Sequence, residues 1–532
     1  MYSSYSPLQQ SQLAAQGYYD TQSTYLLVYA PGRNTALRAT LADQLHRKFR
    51  LADTLASALT EGVDGVLLVS EDVECMSTAL MCFAKALQDG ADYAVCNAVF
   101  GFGGATALYQ SRAHLAQNRC ALVSRPLLER CRAAAKDPEN VTELLALAAQ
   151  FCAHPARIPQ ALLHYERDIC AEDAFSATGK RAFLMSHVLD MTGAPIVLVS
   201  AVPVLRSMGY EVVVLGPEDG GSMPLFLEAG ATVITRKGCV QSPLLWGLAL
   251  CADLVLANTV VEARAVRALS GARVPVLWWL HDAFAGYPHI AHQIPRELGE
   301  NIRLYSVGSH AANAMHSVRP EFNIRPLIYG LPDYAAEKFS HYDLSYAGGR
   351  PLFATVGSFE NRKGQDIFCK AIRLLPPETM KKASFLFVGK AAEAEMMDAV
   401  RSLTADCPDN VFYVKRLTRD EIKSLMAQCT CLVCASRDDP MPTFVTEGLI
   451  FGKPAIVSEH TGTAGLITEG VDGFVYEDDD PEKLAERLAW AIEHPEKLAA
   501  MRPACRELYE SHYSKQAFSD SLQQAVKELT GE

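Results

Sequence analysis

Short apolar runs alternate with longer amphipathic runs through most of this chain, and this alternation limits the available folds more than any other feature. Examples of the apolar runs are EVVVLG (211–216), DLVLANT (253–259) and SFLFVG (384–389). Runs of this length and composition are typical of strands that are buried on both faces. Strands that alternate with helices form βαβ units with right-handed crossovers, so the sequence predicts α/β domains with parallel sheets covered on both faces.

The length of 532 residues is too great for one hydrophobic core and predicts about three domains. Two doubly wound sheets next to each other would face a cleft at the carboxyl ends of their strands, where such sheets bind ligands. We expect the terminal helix to pack back across that cleft. The predicted organisation is a flexible tail over 1–20, an additional α/β domain over 21–170, a linker over 171–182, Rossmann-like domains over 183–340 and 341–510, and a carboxyl-terminal helix over 511–532.

Composition excludes several classes of partner. Apolar residues make up 49% and charged residues 21%, which is typical of a globular protein. The net charge of -12 argues against nucleic-acid binding, because phosphate neutralisation needs a basic surface. The 15 cysteines are scattered through apolar runs, which favours buried thiols over disulfides. We find neither a secretory signal nor an apolar run of about 18 residues, so the sequence predicts a cytoplasmic protein.

The stretch SRDDPMPTFVTEGLIFGKPAIVSE (436–459) combines a strand end, an acidic loop and an apolar helix. We expect the helix to have Pro442 in its first turn and to end at Gly452. Asp438 and Asp439 have two interpretations, a helix cap or solvated turn, and a ligand contact shared with Glu447. Glu447 has apolar neighbours, and a buried carboxylate needs a hydrogen-bond partner such as a ligand hydroxyl. The helix amino terminus would also suit a phosphate.

Three further features lie at predicted strand ends. Arg362 and Lys363 follow a strand in VGSFENRKGQD (356–366) and suit a diphosphate, although a solvated basic turn is the alternative. His281 ends the apolar strand VPVLWWL and is either a site residue or a satisfied core histidine. Gly193, in MTGAP (191–195), allows close approach of the backbone to a ligand.

These features together resemble the retaining glycosyltransferases of family 4, which adopt the GT-B fold. The resemblance covers about residues 180–525 and is strongest in the carboxyl-terminal half. There the family has an acid, seven residues and a second acid, which correspond to Asp439 and Glu447, followed by FGKPAIVSEHTGTAGLI and GVDGFVY. The chain departs from the family in having Asp at the first acid, where the family has Glu.

The resemblance implies roles for individual residues. Glu447 would hold the ribose hydroxyls, and Asp439 would contact the donor sugar on the catalytic side. Lys363 would bind the diphosphate with help from Arg362, because Ser358, after Gly357, replaces the arginine of the family. The other residues implied by the resemblance are His281 and the segment Thr443, Phe444 and Val445 for the donor sugar, Arg416 and Leu417 for the base, and Gly193 for the acceptor side.

The implied reaction is transfer of a sugar from a nucleoside-diphosphate sugar, most commonly a UDP-sugar, with retention of configuration and without a metal or cofactor. The implied acceptor is a glycan, glycolipid or glycoconjugate of cell-surface polysaccharide biosynthesis, and a lipid-linked acceptor would bring the enzyme to the inner membrane face. The alternatives are a catalytically inert binding or assembly partner of another transferase and a GT-B nucleotide-sugar epimerase. The combination of His281, Lys363 and Glu447 favours the enzyme.

The first block has a second resemblance. The segments 62–96, 120–131 and 158–168 resemble the later half of a family 2 glycosyltransferase domain of the GT-A type. Ser70, Glu71 and Asp72 stand where that family has an acidic metal-binding triplet. The loss of the first acid implies a degenerate domain used for acceptor binding or assembly. The alternative is that Glu71 and Asp72 bind a divalent ion through their oxygens.

Overall fold

A computed structural model describes residues 18–532 except 33, 59–61, 103, 112–118, 177 and 478. Most of the predicted tail, residues 1–17, therefore lies outside the described residues, and the described part begins with a 3-10 helix at Tyr18–Ser23. Contacts between residues divide the chain into two compact units. The first comprises residues up to 195 together with 205–255, and the second comprises 196–204 and 256–532.

The first unit contains the strands β1 to β11 and the helices α1 to α6, α8 and α9. The helix α7 and the strand β12 include residues of both units. The strands are β1 (Leu26–Tyr29), β2 (Phe49–Ala52), β3 (Gly65–Val69), β4 (Glu74–Cys75), β5 (Tyr93–Phe102), β6 (Ala105–Ser111), β7 (Cys120–Ser124), β8 (Pro155–Tyr165), β9 (Lys180–Ser186), β10 (Tyr210–Gly216), β11 (Thr232–Thr235) and β12 (Leu254–Asn258). The helices are α1 (Thr35–Leu41), α2 (Leu55–Ala58), α3 (Ala79–Gln88), α4 (Arg125–Ala134), α5 (Val141–Phe151), α6 (Ala171–Ala174), α7 (Gly193–Ser207), α8 (Met223–Glu228) and α9 (Pro243–Ala249).

The sheet of the first unit is mixed, which corrects the expectation of parallel sheets throughout. Strands β2, β1 and β3 are parallel, but β7 pairs antiparallel with β3 and with β5, and β6 pairs antiparallel with β5 and β11. Strands β11, β10 and β9 then continue in parallel. The apolar runs do not predict direction, because a strand buried on both faces has the same composition in either orientation.

The segment predicted as a linker, residues 171–182, contains α6 and the start of β9. It is tied to the first block by charge, since Nη1 of Arg167 donates to Oδ2 of the buried Asp173 at 2.6 Å. A second nitrogen of the same guanidinium donates to Glu71 at 2.9 Å. The domain bounds given above remain predictions.

The second unit contains the remaining strands and helices. The strands are β13 (Val276–Leu280), β14 (Ile302–Ser306), β15 (Ile324–Pro326), β16 (Leu352–Val356), β17 (Ser384–Val388), β18 (Val411–Val414), β19 (Cys431–Cys434), β20 (Ala455–Ser458) and β21 (Gly473–Tyr476). The helices are α10 (Ala263–Leu269), α11 (Tyr287–Ile290), α12 (Ser309–His316), α13 (Gln365–Leu374), α14 (Pro377–Met380), α15 (Ala394–Leu403), α16 (Arg419–Gln428), α17 (Thr443–Ile450), α18 (Pro481–Glu493), α19 (Pro495–Ala500), α20 (Arg502–Leu508) and α21 (Lys515–Thr530).

The six-stranded sheet of this unit is parallel throughout and has the order β18-β17-β16-β19-β20-β21, which confirms the prediction of a doubly wound α/β domain. The chain order reverses between β16 and β19. In such a sheet the loops that leave the two strands at the reversal diverge and form a crevice where ligands bind. The loop after β16 carries Lys363 and the loop after β19 carries Asp439, so the topology brings these two residues to the same crevice.

The carboxyl-terminal segment contacts the strands near the start of the second unit. The ring of Phe518, on α21, stacks on Trp279 of β13 with ring centroids 5.6 Å apart. The N–H of Leu331 donates to the carbonyl of Tyr513 at 2.7 Å. All 15 cysteines are free and most are buried. In the described part of the chain, none of the helices combines the length and the apolar character that crossing a membrane would require.

Candidate active site

The loop between β19 and α17 holds the predicted acid Asp439 against the predicted cation Lys363. Nζ of Lys363 donates to Oδ2 of Asp439 at 2.6 Å, and the N–H of Met441 donates to Oδ1 at 3.3 Å. Asp439 is buried and Lys363 is largely so. Two residues that lie 76 positions apart in the sequence therefore form one ion pair at the sheet reversal.

Neither loop aspartate caps the helix, so the capping interpretation was wrong. Helix α17 begins at Thr443, and its N-cap is Pro442, which has no side-chain acceptor; the expectation that Pro442 lies in the first turn misses by one residue. The Asp439 carboxylate is occupied by Lys363. The Asp438 carboxylate accepts hydrogen bonds from a different part of the unit, at Phe284, Ala285 and His310.

The loops after β16 and β19 are also joined through Arg362. Nη1 of Arg362 donates to the carbonyl of Asp438 at 3.0 Å, and Nη2 donates to Glu360 at 3.0 Å. The hydroxyl of Ser358 donates to the same Glu360 oxygen at 2.9 Å. Gly357 lies beside the side chain of Lys363, because a Cβ added at Gly357 would be 3.9 Å from Cδ and Cε of Lys363. Arg362 therefore braces the loop that carries Lys363.

Glu447 is buried in the second turn of α17, as the apolar residues around it predict. Its Oε1 lies 2.8 Å from Nη2 of Arg419, a residue that the sequence analysis did not identify. Burial raises the pKa of Glu447, and the charge of Arg419 opposes that rise. The Arg419 side chain is 61% exposed and its guanidinium also lies 5.7 Å from the centre of the Tyr334 ring. A buried acid is thus covered by a cation that reaches it from the surface.

His281 directly follows β13, as predicted, and is half-buried with its ring centroid 4.5 Å from that of Trp279. The next residue, Asp282, accepts a hydrogen bond from the N–H of Val260 at 2.6 Å, and burial raises its pKa to about 6. The chain then turns through a 3-10 helix, Phe284–Gly286, whose first two N–H groups reach Asp438. The segment after His281 is therefore fixed to the acidic loop.

The other predicted donor contacts lie just before one helix and in the first turn of another. Arg416 is exposed and Leu417 is half-buried, in the loop between β18 and α16. Thr443, Phe444 and Val445 are the first three residues of α17, and the N–H of Val445 is committed to the carbonyl of Pro442 at 3.1 Å.

Three predicted residues belong to the first unit. Gly193 is the first residue of α7, and no atom lies within 4 Å of a Cβ added there. The carboxylate of Asp72 accepts from the N–H groups of Thr35, Ala36 and Leu37, at the start of α1. Glu71 pairs with Arg119 at 3.2 Å and with Arg167 at 2.9 Å.

These contacts give both acids protein partners, and the interpretation of Glu71 and Asp72 as metal ligands stays a prediction. Among the residues that the structure describes, no group of three or more His, Cys, Asp or Glu side chains could hold a metal ion.

Two residues that contact the site escaped the sequence analysis. His310 is buried on α12 and its Nε2 lies 2.7 Å from Oδ1 of Asp438. Arg419 is the first residue of α16. The signal for His310 was a strand end, LYSVGSH (304–310), of the same kind that identified His281. No local signal pairs Arg419 with Glu447, because the two residues lie on different helices.

Two segments of the chain match models of known protein families. Residues 178–314 match the family model for glycosyl-transferase family 4, and residues 338–508 match that for glycosyl transferases group 1. An uncharacterized glycosyltransferase of Methanocaldococcus jannaschii is 26% identical over 144 residues, which are 26% of this chain and 38% of that protein. A glycogen synthase of Pseudomonas syringae pv. syringae is 26% identical over 201 residues, or 37% of this chain and 39% of that protein.

Both alignments therefore span well under half of the relative's length. Among solved structures, Anabaena HepE in complex with UDP and glucose has a TM-score of 0.53 at 17% identity, and the match covers 66% of this chain and 100% of that one. This likeness establishes the fold. The chain belongs to the family 4 and group 1 glycosyltransferases of the GT-B type.

Proposed function

We propose that this protein transfers a sugar from a nucleoside-diphosphate sugar, with UDP as the nucleotide, to a glycan, glycolipid or glycoconjugate acceptor with retention of configuration. The observation that supports this proposal is the ion pair of Lys363 and Asp439 at the reversal of the parallel sheet, with Glu447 buried in the second turn of the helix that follows Asp439. Lys363 would bind the diphosphate, Asp439 the sugar and Glu447 the ribose of a donor bound in the crevice.

Lys363 is the group proposed to stabilise the leaving diphosphate. An ammonium carries three N–H donors, so Lys363 can hold Asp439 and a phosphate oxygen at the same time. Because Asp439 fixes the lysine before the donor arrives, little reorganisation is needed as negative charge develops. The amino terminus of α17 would add the positive end of its helix dipole, which favours an anion. This arrangement can stabilise the charge with protein groups, and we therefore propose transfer without a metal.

Glu447 is proposed to accept hydrogen bonds from the two ribose hydroxyls. Its partner Arg419 is largely exposed, so the guanidinium can leave Oε1 at little cost and keep its contact with the Tyr334 ring. Arg416 and Leu417 precede Arg419 by three and two residues, which supports a base contact beside the proposed ribose contact. His281 and Asp439 are proposed to contact the transferred sugar. Support for UDP comes from HepE, whose complex contains UDP and glucose.

The proposal predicts that UDP stabilises the protein through Glu447. With UDP at about 100 times its dissociation constant, we expect the melting temperature to rise by about 2 °C or more. The Glu447→Ala protein should show no rise, because the acceptor for the ribose hydroxyls is removed. The measurement is a thermal melt of each protein with and without UDP, in buffer with EDTA.

Glu486→Ala is the matched control, since this glutamate is exposed on α18. It should keep the full shift. Equal shifts in the Glu447→Ala and unmodified proteins would reject the ribose assignment. A shift that appears only after Mg²⁺ is added would reject metal independence. Absence of any shift with UDP in the unmodified protein would favour the inert assembly partner.

A further inference from the structure

The carboxylate of Asp438 collects three hydrogen bonds from two separate elements of the second unit. Oδ1 accepts from the N–H of Phe284 at 3.1 Å and from Nε2 of His310 at 2.7 Å, and Oδ2 accepts from the N–H of Ala285 at 2.9 Å. Burial would raise the pKa of Asp438, but the bonds from His310, Ala285 and Phe284 outweigh it and lower the pKa. The carboxylate is therefore ionised and is held by charge-assisted hydrogen bonds.

These bonds hold an aromatic side chain that is open to solvent. Phe284 is 40% exposed, although its backbone is fixed by Asp438. Its ring and the ring of His310 make an edge-to-face contact, with centroids 5.1 Å apart and planes inclined by 65°. His310 thus contacts both the carboxylate and the aromatic ring. An exposed aromatic ring held at two points loses little conformational entropy when it binds a ligand.

The position of this ring relates it to the proposed reaction. Phe284 follows His281 by three residues, and Asp438 directly precedes Asp439, which pairs with Lys363. The segment that carries the ring is thus hydrogen-bonded to the loop that carries the ion pair. None of the donor roles assigned above uses Phe284, Asp438 or His310.

We propose that Phe284 is a stacking surface for a sugar ring of the acceptor, and that Asp438 and His310 are positioning residues that hold it. One face of a pyranose presents C–H groups, which pack on the π face of an aromatic ring. This inference rests on the proposed function, because it assumes that the acceptor is a carbohydrate. It adds the chemical class that the acceptor side recognises.

The stacking contact can be tested with simple glycosides. The probes are the methyl glycosides of glucose, galactose, mannose and N-acetylglucosamine, and their binding to the full chain is measured by saturation-transfer NMR titration. We expect at least one to bind the unmodified protein and the Phe284→Tyr variant alike. Phe284→Leu keeps an apolar side chain and the backbone N–H but loses the ring face, so its affinity should fall about fivefold.

The positioning role is tested at His310. His310→Gln retains a side-chain N–H donor for Asp438, whereas His310→Ala does not. We expect His310→Ala to bind the glycoside as weakly as Phe284→Leu, and His310→Gln to recover most of the affinity. Equal binding by His310→Ala and the unmodified protein would overturn the positioning role.

The melting shift with UDP measures donor binding separately from acceptor binding. The melting shift with UDP should be unchanged in Phe284→Leu, because the ring is assigned to the acceptor. If none of the four glycosides binds the unmodified protein, or if Phe284→Leu binds as tightly, the stacking proposal is wrong. A missing UDP shift in the unmodified protein would instead contradict the proposed function, so the two failures are distinguishable.

Discussion

Buried carboxylates of the second unit differ in how their charge is balanced. Asp439 has Lys363 at 2.6 Å and Glu447 has Arg419 at 2.8 Å. Glu262 is only 1% exposed, and its Oε2 has no hydrogen-bond partner among the described residues. Burial raises the pKa of Glu262 to about 8. A carboxyl group that keeps its proton in the folded state links folding stability to pH.

Replacement of Glu262 by Gln should change the pH dependence of stability. Between pH 4.5 and about 8 the folded state holds a proton that the unfolded state has released, so the free energy of unfolding falls as pH rises. The fall from this group is at most about 1.4 kcal/mol per pH unit. Glu262→Gln has no proton to lose and should show a smaller fall. Urea unfolding at pH 5.5 and 7.5 measures the difference.

Glu297→Gln is the control, because this glutamate is exposed in the same unit. It should show the same pH dependence as the unmodified protein. If Glu262→Gln also follows the unmodified protein, Glu262 is ionised in the folded state at neutral pH.

At the scale of elements, the turn from β16 into α13 places the proposed diphosphate group. Gly364 is the N-cap of α13 and has φ +63°, in the left-handed region. A Cβ added there would lie 1.8 Å from the carbonyl oxygen of Ala435, just after β19. The close approach of these two backbones puts Lys363 within reach of Asp439.

Gly364→Ala should therefore lower both stability and UDP binding. The left-handed conformation alone costs an alanine about 1 to 2 kcal/mol, and the clash with Ala435 adds to that cost. We expect a loss of about 2 kcal/mol or more in urea unfolding. Because the turn must move, Lys363 loses its position, and the melting shift with UDP should fall.

Gly349→Ala separates the cost of the left-handed conformation from the cost of the clash with Ala435. Gly349 has φ +68°, but nothing lies within 4 Å of an added Cβ. This variant should show the conformational cost alone and an unchanged UDP shift. Equal losses in the two variants would mean that the contact with Ala435 does not position the turn.

At the scale of the whole molecule, the sheet of the first unit joins sequence blocks that look independent. Strand β11 pairs antiparallel with β6 from Thr232 opposite Ser111 to Thr235 opposite Leu108, and all four residues of β11 are buried. The first block is therefore part of the same sheet as the start of the family 4 segment. The first block therefore has a structural role, because its strand β6 covers the edge of β11.

Removal of residues 1–175 should make the remaining chain aggregate. The deletion exposes the unpaired N–H and C=O groups of β11 as an apolar edge, which promotes association between chains. We expect most of the 176–532 fragment to be lost from the soluble fraction after centrifugation. Co-expression of residues 1–175 as a separate chain should restore it by supplying β6. A monomeric 176–532 fragment with a normal UDP shift would instead support the linker predicted at 171–182.

Much of the second unit follows from the sequence alone. The apolar runs predict each strand of its six-stranded sheet, and the resemblance to family 4 identifies Asp439 and Glu447 as site candidates before any contact is known. The strand prediction succeeds because a buried parallel strand needs a continuous apolar run. The roles of the two acids stay predictions. His281 and Lys363 are found for a related reason, since each follows a strand that is easily recognised.

Only the tertiary structure assigns partners to these side chains. Nothing in the sequence pairs Lys363 with Asp439, Glu447 with Arg419, or Asp438 with His310, because each pair joins elements that are distant in the chain. The antiparallel pairings of β7 with β3 and of β6 with β11 were missed for the same reason. Local sequence determines which residues are buried and where strands end, whereas strand direction and charge partners depend on contacts between segments that no local pattern records.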